Sequence, residues 1–356
     1  MKLLSKKNKD NDGLVTVVDN RSTAQKVSDA IINNALYIMI AILVVYCTFK
    51  YPLFIKNAPV DLLKRTAAYI IMALGVGGII VLTGTDLSAG RVMGLTAIIS
   101  ASLLQQTTAP TRVFPGMNPW PIFVVLLLVI VVGALIGMFN GFFVAKFELH
   151  PFIVTLATQM MLYGTMLIYL GLGTNKGQSV SNLTTGYKSL ISGNLIKLGS
   201  WQIPNYVWLS ILLVFLTWFM WNKTVLGKNM YAVGSNAEAA KVSGVSVFWT
   251  IVCVNMYAGA MYGINGFVEA ARVGGPGGSA GNGAECDAIA ACVIGGVSFI
   301  GGIGKVSGIV IGVILLQLIS VALQWMSVSA NYVNIIKGAI ILIAVSLDMR
   351  KYIAKK

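Results

Sequence analysis

The chain has 356 residues, of which 56% are hydrophobic and only 11% charged, with a mean hydropathy of +0.80. Soluble domains carry about 25% charged residues, so this composition excludes a water-soluble globule and indicates an all-α polytopic membrane protein. The net charge of +14 does not indicate nucleic acid, because the basic residues sit at chain ends and between apolar runs, not on one face with interleaved aromatics.

Residues 1–31 are polar, hold six Lys/Arg and lack an apolar core followed by a small-residue cleavage site. They are expected to form a cytoplasmic tail, not a cleaved leader. Ten spans are predicted at about 32–50, 66–84, 87–106, 121–144, 152–173, 204–221, 248–269, 286–303, 306–326 and 331–348, since roughly 20 apolar residues cross the bilayer as a helix. Pro121 to Ala145 and Val306 to Ile336 contain no Asp, Glu, His, Lys or Arg. The expected organisation is one transmembrane domain, 32–349, followed by a basic cytoplasmic tail, 350–356. With both termini inside, sixteen Lys/Arg fall on the inner side, Arg91 among them, and nine on the outer, with Lys337 inside the last span. That excess follows the positive-inside rule.

Between the second and third predicted spans lies Gly84-Thr85-Asp86-Leu87-Ser88-Ala89-Gly90-Arg91. Asp86 suits an N-cap of the third span. An ionisable group in a broken helix beside a pathway is the functional alternative, with Arg91 as the local partner at an imperfect five-residue offset.

Gly133, Gly137 and Gly141 in the fourth span, and Gly304, Gly308 and Gly312 at the ninth, lie four apart and so share a helix face suited to close intrachain packing. Spans four and nine are five apart, which makes a 5+5 inverted repeat an expectation. His150, the only histidine, reads as a solvated loop residue. The four cysteines have no metal-ligand spacing, and read as buried, inert thiols.

The loop 222–247 contains a short, fully punctuated helix. Gly234 precedes it, Asn236 can cap it, Glu238 suits the first turn and Lys241 the last, and Gly244 follows as the left-handed stop after Ala237, Ala239, Ala240 and Ser243. Two turns do not persist alone in water, so the segment is expected to dock on a partner.

Glu269 and Arg272 are spaced for a local ion pair. The glycine-rich run 272–283 lacks the lysine of a phosphate loop, and Gly304-Lys305 is followed by Val306, so neither is a nucleotide site. Glu285 and Asp287 open the eighth span, where acidic groups complement the helix dipole. No catalytic constellation or metal-ligand set is present in the sequence.

In the segment 234–245, in Gly84–Arg91 with its Asp-Leu-Ser-x-Gly core, and in Glu285-Cys286-Asp287-Ala288-Ile289-Ala290-Ala291 followed by Gly295-Gly296 and Gly301-Gly302, the chain resembles the sugar-import ABC permeases of the ribose, xylose and galactose type. The resemblance covers essentially everything after residue 30. Thr85, Ala89, Arg91 and Val113-Phe114-Pro115 fit the galactose or methyl-galactoside branch. Cys286, where Leu is usual, and the long charged N-terminal tail depart from the family.

The resemblance implies a homodimeric permease in the cell (inner) membrane that translocates a monosaccharide and does no bond chemistry. It implies a double-cassette ATPase inside, which binds ATP and Mg and docks on 234–245, and a soluble sugar-binding protein outside. This chain would then hold no cofactor. An ion-coupled secondary sugar transporter is the alternative, and fits the spans and Asp86 but not the capped inner helix. A membrane enzyme is the third class.

Overall fold

The computed structural model describes residues 35–194, 196–198 and 201–353, so the expected tail 1–31 lies outside the described residues. The helices are α1 Ala35–Lys50, α2 Phe54–Val81, α3 Ala89–Leu103, α4 Ile122–Phe147, α5 Pro151–Leu170, α6 Thr185–Ser192, α7 Asn205–Lys223, α8 Val225–Ser235, α9 Ala237–Val242, α10 Val247–Val273, α11 Ala284–Ile294, α12 Val306–Trp325 and α13 Ala330–Ile353. A small antiparallel hairpin, β1 Ile196–Leu198 and β2 Trp201–Ile203, interrupts the otherwise helical fold.

Among the described residues six helices, α2, α4, α5, α7, α10 and α12, are long and apolar enough to cross a bilayer. Their boundaries follow local chemistry. Pro151 opens α5, where its missing N–H costs nothing. Ser246 caps α10 by accepting from Trp249 N–H, and Gly274 (φ 76°) closes it.

The predicted span 286–303 is not a full helix. α11 stops at Ile294, and Gly296 turns the chain at φ 83° into an irregular segment that reaches α12. Eleven residues give about 16 Å of helix and the fifteen of α3 about 22 Å, both short of the ~30 Å hydrocarbon layer. Periodicity does not reveal the break, because the residues from Gly295 to Ile303 are all apolar or glycine except Ser298.

The glycine triplets are used within the chain. A Cβ at Gly133 or Gly137 would collide with the Gly259 or Asn255 carbonyl oxygen of α10, and one at Gly308 or Gly312 with that of Gly295 or Ala291. α4 packs along α10 and α12 along α2, while α2 touches α10 and α3 touches α11. In each case partners are exchanged between elements five apart in span order. Such reciprocity is the pattern an inverted repeat produces.

Residues 103–121, 171–184 and 271–280 gather at one end of the bundle, tied by Gln106 N–H to Asn182 O (2.8 Å), Thr174 N–H to Arg112 O (2.9 Å) and Val180 N–H to Pro276 O (2.9 Å). The 225–248 segment lies at the other, where Gly302 N–H donates to Val81 O at 2.8 Å and Tyr231 Oη to Gly304 O at 2.9 Å. Single cysteines at the exposed Ser181 and Ser235 are therefore expected to react with impermeant thiol reagents from opposite faces of the membrane. Labelling of both from one face would refute this topology.

Candidate translocation site

After α2 ends at Val81, residues 82–88 fold back into the bundle before α3 begins at Ala89. After α10 ends at Val273, at the opposite end, residues 274–283 fold back before α11 begins at Ala284. Two helix N-termini thus meet in the interior. Gly90 and Gly281 are in backbone contact there, and a Cβ on either would collide with the carbonyl oxygen of the other.

Arg91 secures this crossing. Its guanidinium donates to Gly278 O (3.2 Å), Ala280 O (3.4 Å) and Asn282 Oδ1 (2.9 Å), and lies 4.6 Å over the Tyr163 ring. Two expectations are corrected: Arg91 is not an inner-loop charge, and it is not bonded to Asp86. A re-entrant loop has backbone carbonyls that need donors, and Arg91 supplies them.

Asp86 is 2% exposed. Its Oδ1 accepts from Ser88 N–H at 2.8 Å and Ser88 Oγ–H at 2.6 Å. This is an Asx-type turn ahead of the helix, with Ser88 at the cap position. Asn140 Nδ2 donates to Ser88 Oγ at 3.0 Å, and Thr158 Oγ1 to Asn140 Oδ1 at 2.6 Å, which extends the polar chain through α4 into α5. Thr155 Oγ1 accepts from Leu87 N–H at 3.2 Å, and Gly84 lies against Pro151, fixing the re-entrant loop to α5. Asp86→Ala is expected to impair transport or assembly more than Asp86→Asn, which keeps the acceptor. Wild-type uptake in both variants would remove Asp86 from the site.

Glu285 is 5% exposed, and its Oε2 has no hydrogen-bond partner among the described residues. It projects toward Gly90, where an added Cβ would strike it. Asp287 does more than complement the α11 dipole, since it accepts from Lys337 Nζ of α13 at 2.8 Å. Glu269 and Arg272 form the expected local pair, bidentate at 2.6 and 2.7 Å.

Beside the crossing lies a cavity of about 490 Å³, with Tyr69, Asn265, Glu269, Asn282, Asp287 and Lys337 in its wall. Cys286 also lines it and is exposed, unlike the buried Cys47 and Cys292, so the expectation of burial does not hold for this residue. His150 is exposed at the start of α5, as expected. The sequence reading left Asn140, Asn265 and Lys337 off the site. Their signal was available, because a lone amide or ammonium within an apolar span is costly unless it has a use. Tyr69 carried no such signal.

At the other end, Asn236 Oδ1 accepts from Ala239 N–H at 2.9 Å, capping α9, and Gly244 follows at φ 83°. Glu238 stands in the first turn and Lys241 in the last. Ala237, Glu238, Ala239, Lys241 and Ser243 are exposed, and Val242 is 89% exposed. Ala240, by contrast, is buried at 5%. Gly234 packs so closely on Val81 that a Cβ would strike its carbonyl oxygen, which joins the α8–α9 corner directly to the re-entrant loop that carries Asp86.

A bundle of apolar helices broken by two re-entrant half-helices is the architecture of a multi-pass membrane transport protein. The chain belongs to the branched-chain amino acid transport system / permease component family, which matches residues 58–345. It is 41% identical over 323 residues to the galactose/methyl galactoside import permease protein MglC of Escherichia coli K12, covering 90% of this chain and 95% of that protein. Identity to MglC of Haemophilus influenzae is 40%, over 92% and 97% of the two chains. The ribose import permease protein RbsC of Escherichia coli K12 is 33% identical over 89% and 92%. No solved structure matches the chain.

Proposed function

We propose that this chain is the membrane-spanning subunit of an ATP-driven importer for a monosaccharide of the galactose or methyl-galactoside type. The observation that carries the reading is the near full-length similarity to galactose/methyl galactoside import permeases, at 41% identity over 95% of one of them. Residues 32–349 act as one transmembrane domain with both termini in the cytoplasm. Two copies form the path, a soluble binding protein delivers sugar from outside, and a double-cassette ATPase, which binds ATP and Mg, docks inside.

The exposed face of α9 receives the ATPase. Its movement passes through Gly234, Val81 and residues 82–88 to the N-terminus of α3, where Gly90 and Arg91 hold the crossing. Asp86 and Ser88 keep the re-entrant loop rigid, so that displacement reaches the crossing undamped. Glu285 and Asp287 anchor the other half-helix. Opening the crossing joins the outer cavity to the inner end of the bundle.

Proteoliposomes that contain the permease, the ATPase and sugar-loaded binding protein are expected to accumulate galactose only with ATP inside the cassette compartment. Uptake by the permease alone under a proton or sodium gradient would establish the ion-coupled alternative instead.

A further inference from the structure

We propose that the cavity beside the half-helix crossing is a binding site for one neutral monosaccharide, with the Asn265 amide oxygen accepting from a sugar hydroxyl. The proposal rests on the importer reading above and assigns that importer a sugar site in the permease itself.

Asn265 belongs to α10, lines the cavity and is 4% exposed, yet its Oδ1 receives no hydrogen bond among the described residues. A buried acceptor of this kind needs a donor, and an open cavity lets a ligand hydroxyl provide it. The charged side chains in the cavity wall are already matched: Glu269 is paired with Arg272, and Asp287 with Lys337. Matched charges leave no counter-ion for a zwitterion such as an amino acid. The paired carboxylates nevertheless retain free lone pairs, and can accept further hydrogen bonds from hydroxyls. Asn282 and Asn334 add amide groups to the same wall.

Tyr69, Met72 and Met93 give the cavity an apolar side. A pyranose has this dual character, with hydroxyls around its rim and C–H groups on its faces. About 490 Å³ falls within the ~300–1,000 Å³ of small-molecule sites. Gly281 and Gly283 form part of the wall, so a sugar held here rests directly against the closed crossing, positioned to pass when it opens.

Cys286 provides a native reporter, because it is exposed and lines the same cavity. The full complex in proteoliposomes is treated from the outer face with an impermeant methanethiosulfonate, and the labelled cysteine is identified by mass spectrometry. Excess D-galactose is expected to slow modification of Cys286 several-fold, whereas glycerol at the same concentration leaves the rate unchanged. An unchanged rate with galactose overturns the site, and protection by leucine in place of galactose overturns the ligand class.

Asn265→Leu, of similar size but without the acceptor, is expected to slow uptake about tenfold, the worth of one hydrogen bond, with the ATPase still co-purifying. Uptake at the wild-type rate overturns the role of Asn265. Should the variant not assemble, protection of the wild-type Cys286 decides the question alone. If the wild-type complex shows no ATP-driven uptake, the importer reading fails, while the galactose effect on Cys286 still decides whether this cavity binds sugar.

Discussion

Gly90→Val is expected to abolish transport and to lower the thermal unfolding midpoint of the detergent-solubilised permease. At Gly90 the backbone of α3 touches the backbone of the 274–283 segment, with the Gly281 carbonyl oxygen and the Glu285 carboxylate both in the space a Cβ would take. The carboxylate end could swing aside, but the Gly281 backbone cannot, because Arg91 holds its neighbours Ala280 and Asn282. Overpacking of a tight interior costs about 1–3 kcal/mol, and a branched side chain at a backbone contact stands at the upper end. The two half-helices must then separate by more than a methyl group. Gly164→Ala is the control, since nothing lies within 4 Å of its Cβ position and alanine favours the helix. Normal uptake and stability in Gly90→Val would show that the crossing is not a closed contact.

What the sequence revealed and what it hid divide along the reach of the interactions. Asn236, Glu238, Lys241 and Gly244 act within one helix and its two ends, so their spacing was sufficient, and α9 forms where capping chemistry places it. Glu269 and Arg272 are three apart and pair as neighbours on a helix do. The glycine triplets announced close packing, though not their partners. By contrast, Arg91 reaches Gly278 across 187 positions and Lys337 reaches Asp287 across 50. No local pattern encodes such contacts. The same holds for the break after Ile294: hydropathy measures transfer to lipid and reads an apolar half-helix plus an apolar turn as one continuous span. Asp86 shows a middle case: it stands at the start of α3 as its chemistry suggests and bonds to Ser88 and the Ala89 backbone, while its contact with Tyr262 across the bundle had no local signal.

The outer surface of α9 is where substitution should separate folding from coupling. Ala239→Trp and Val242→Glu are both expected to leave membrane insertion intact, to weaken co-purification of the ATPase and to abolish sugar uptake. Each position is exposed, and surface changes away from special features usually alter stability by within about 0.5 kcal/mol. Bulk at Ala239 would hold a cassette groove off the helix, and a charge at Val242 would remove the one large apolar side chain this six-residue helix presents. Ala240 is the wrong place for the same test. It faces the protein interior at 5% exposure, so Ala240→Trp would disrupt packing and could not report on docking. Gly244→Val provides a third arm. Open space surrounds its Cβ position, but φ 83° is a conformation a β-branched residue strongly resists. The expected cost of about 1–3 kcal/mol is therefore backbone strain at the exit of α9, with loss of uptake following from a shifted helix. Substitution of Glu238 or Lys241 by alanine should cost only ~0.2–0.5 kcal/mol of any local pairing. If Ala239→Trp and Val242→Glu both bound the ATPase and supported uptake at the wild-type rate, α9 would be a solvated loop helix, and the drive would have to enter the permease elsewhere.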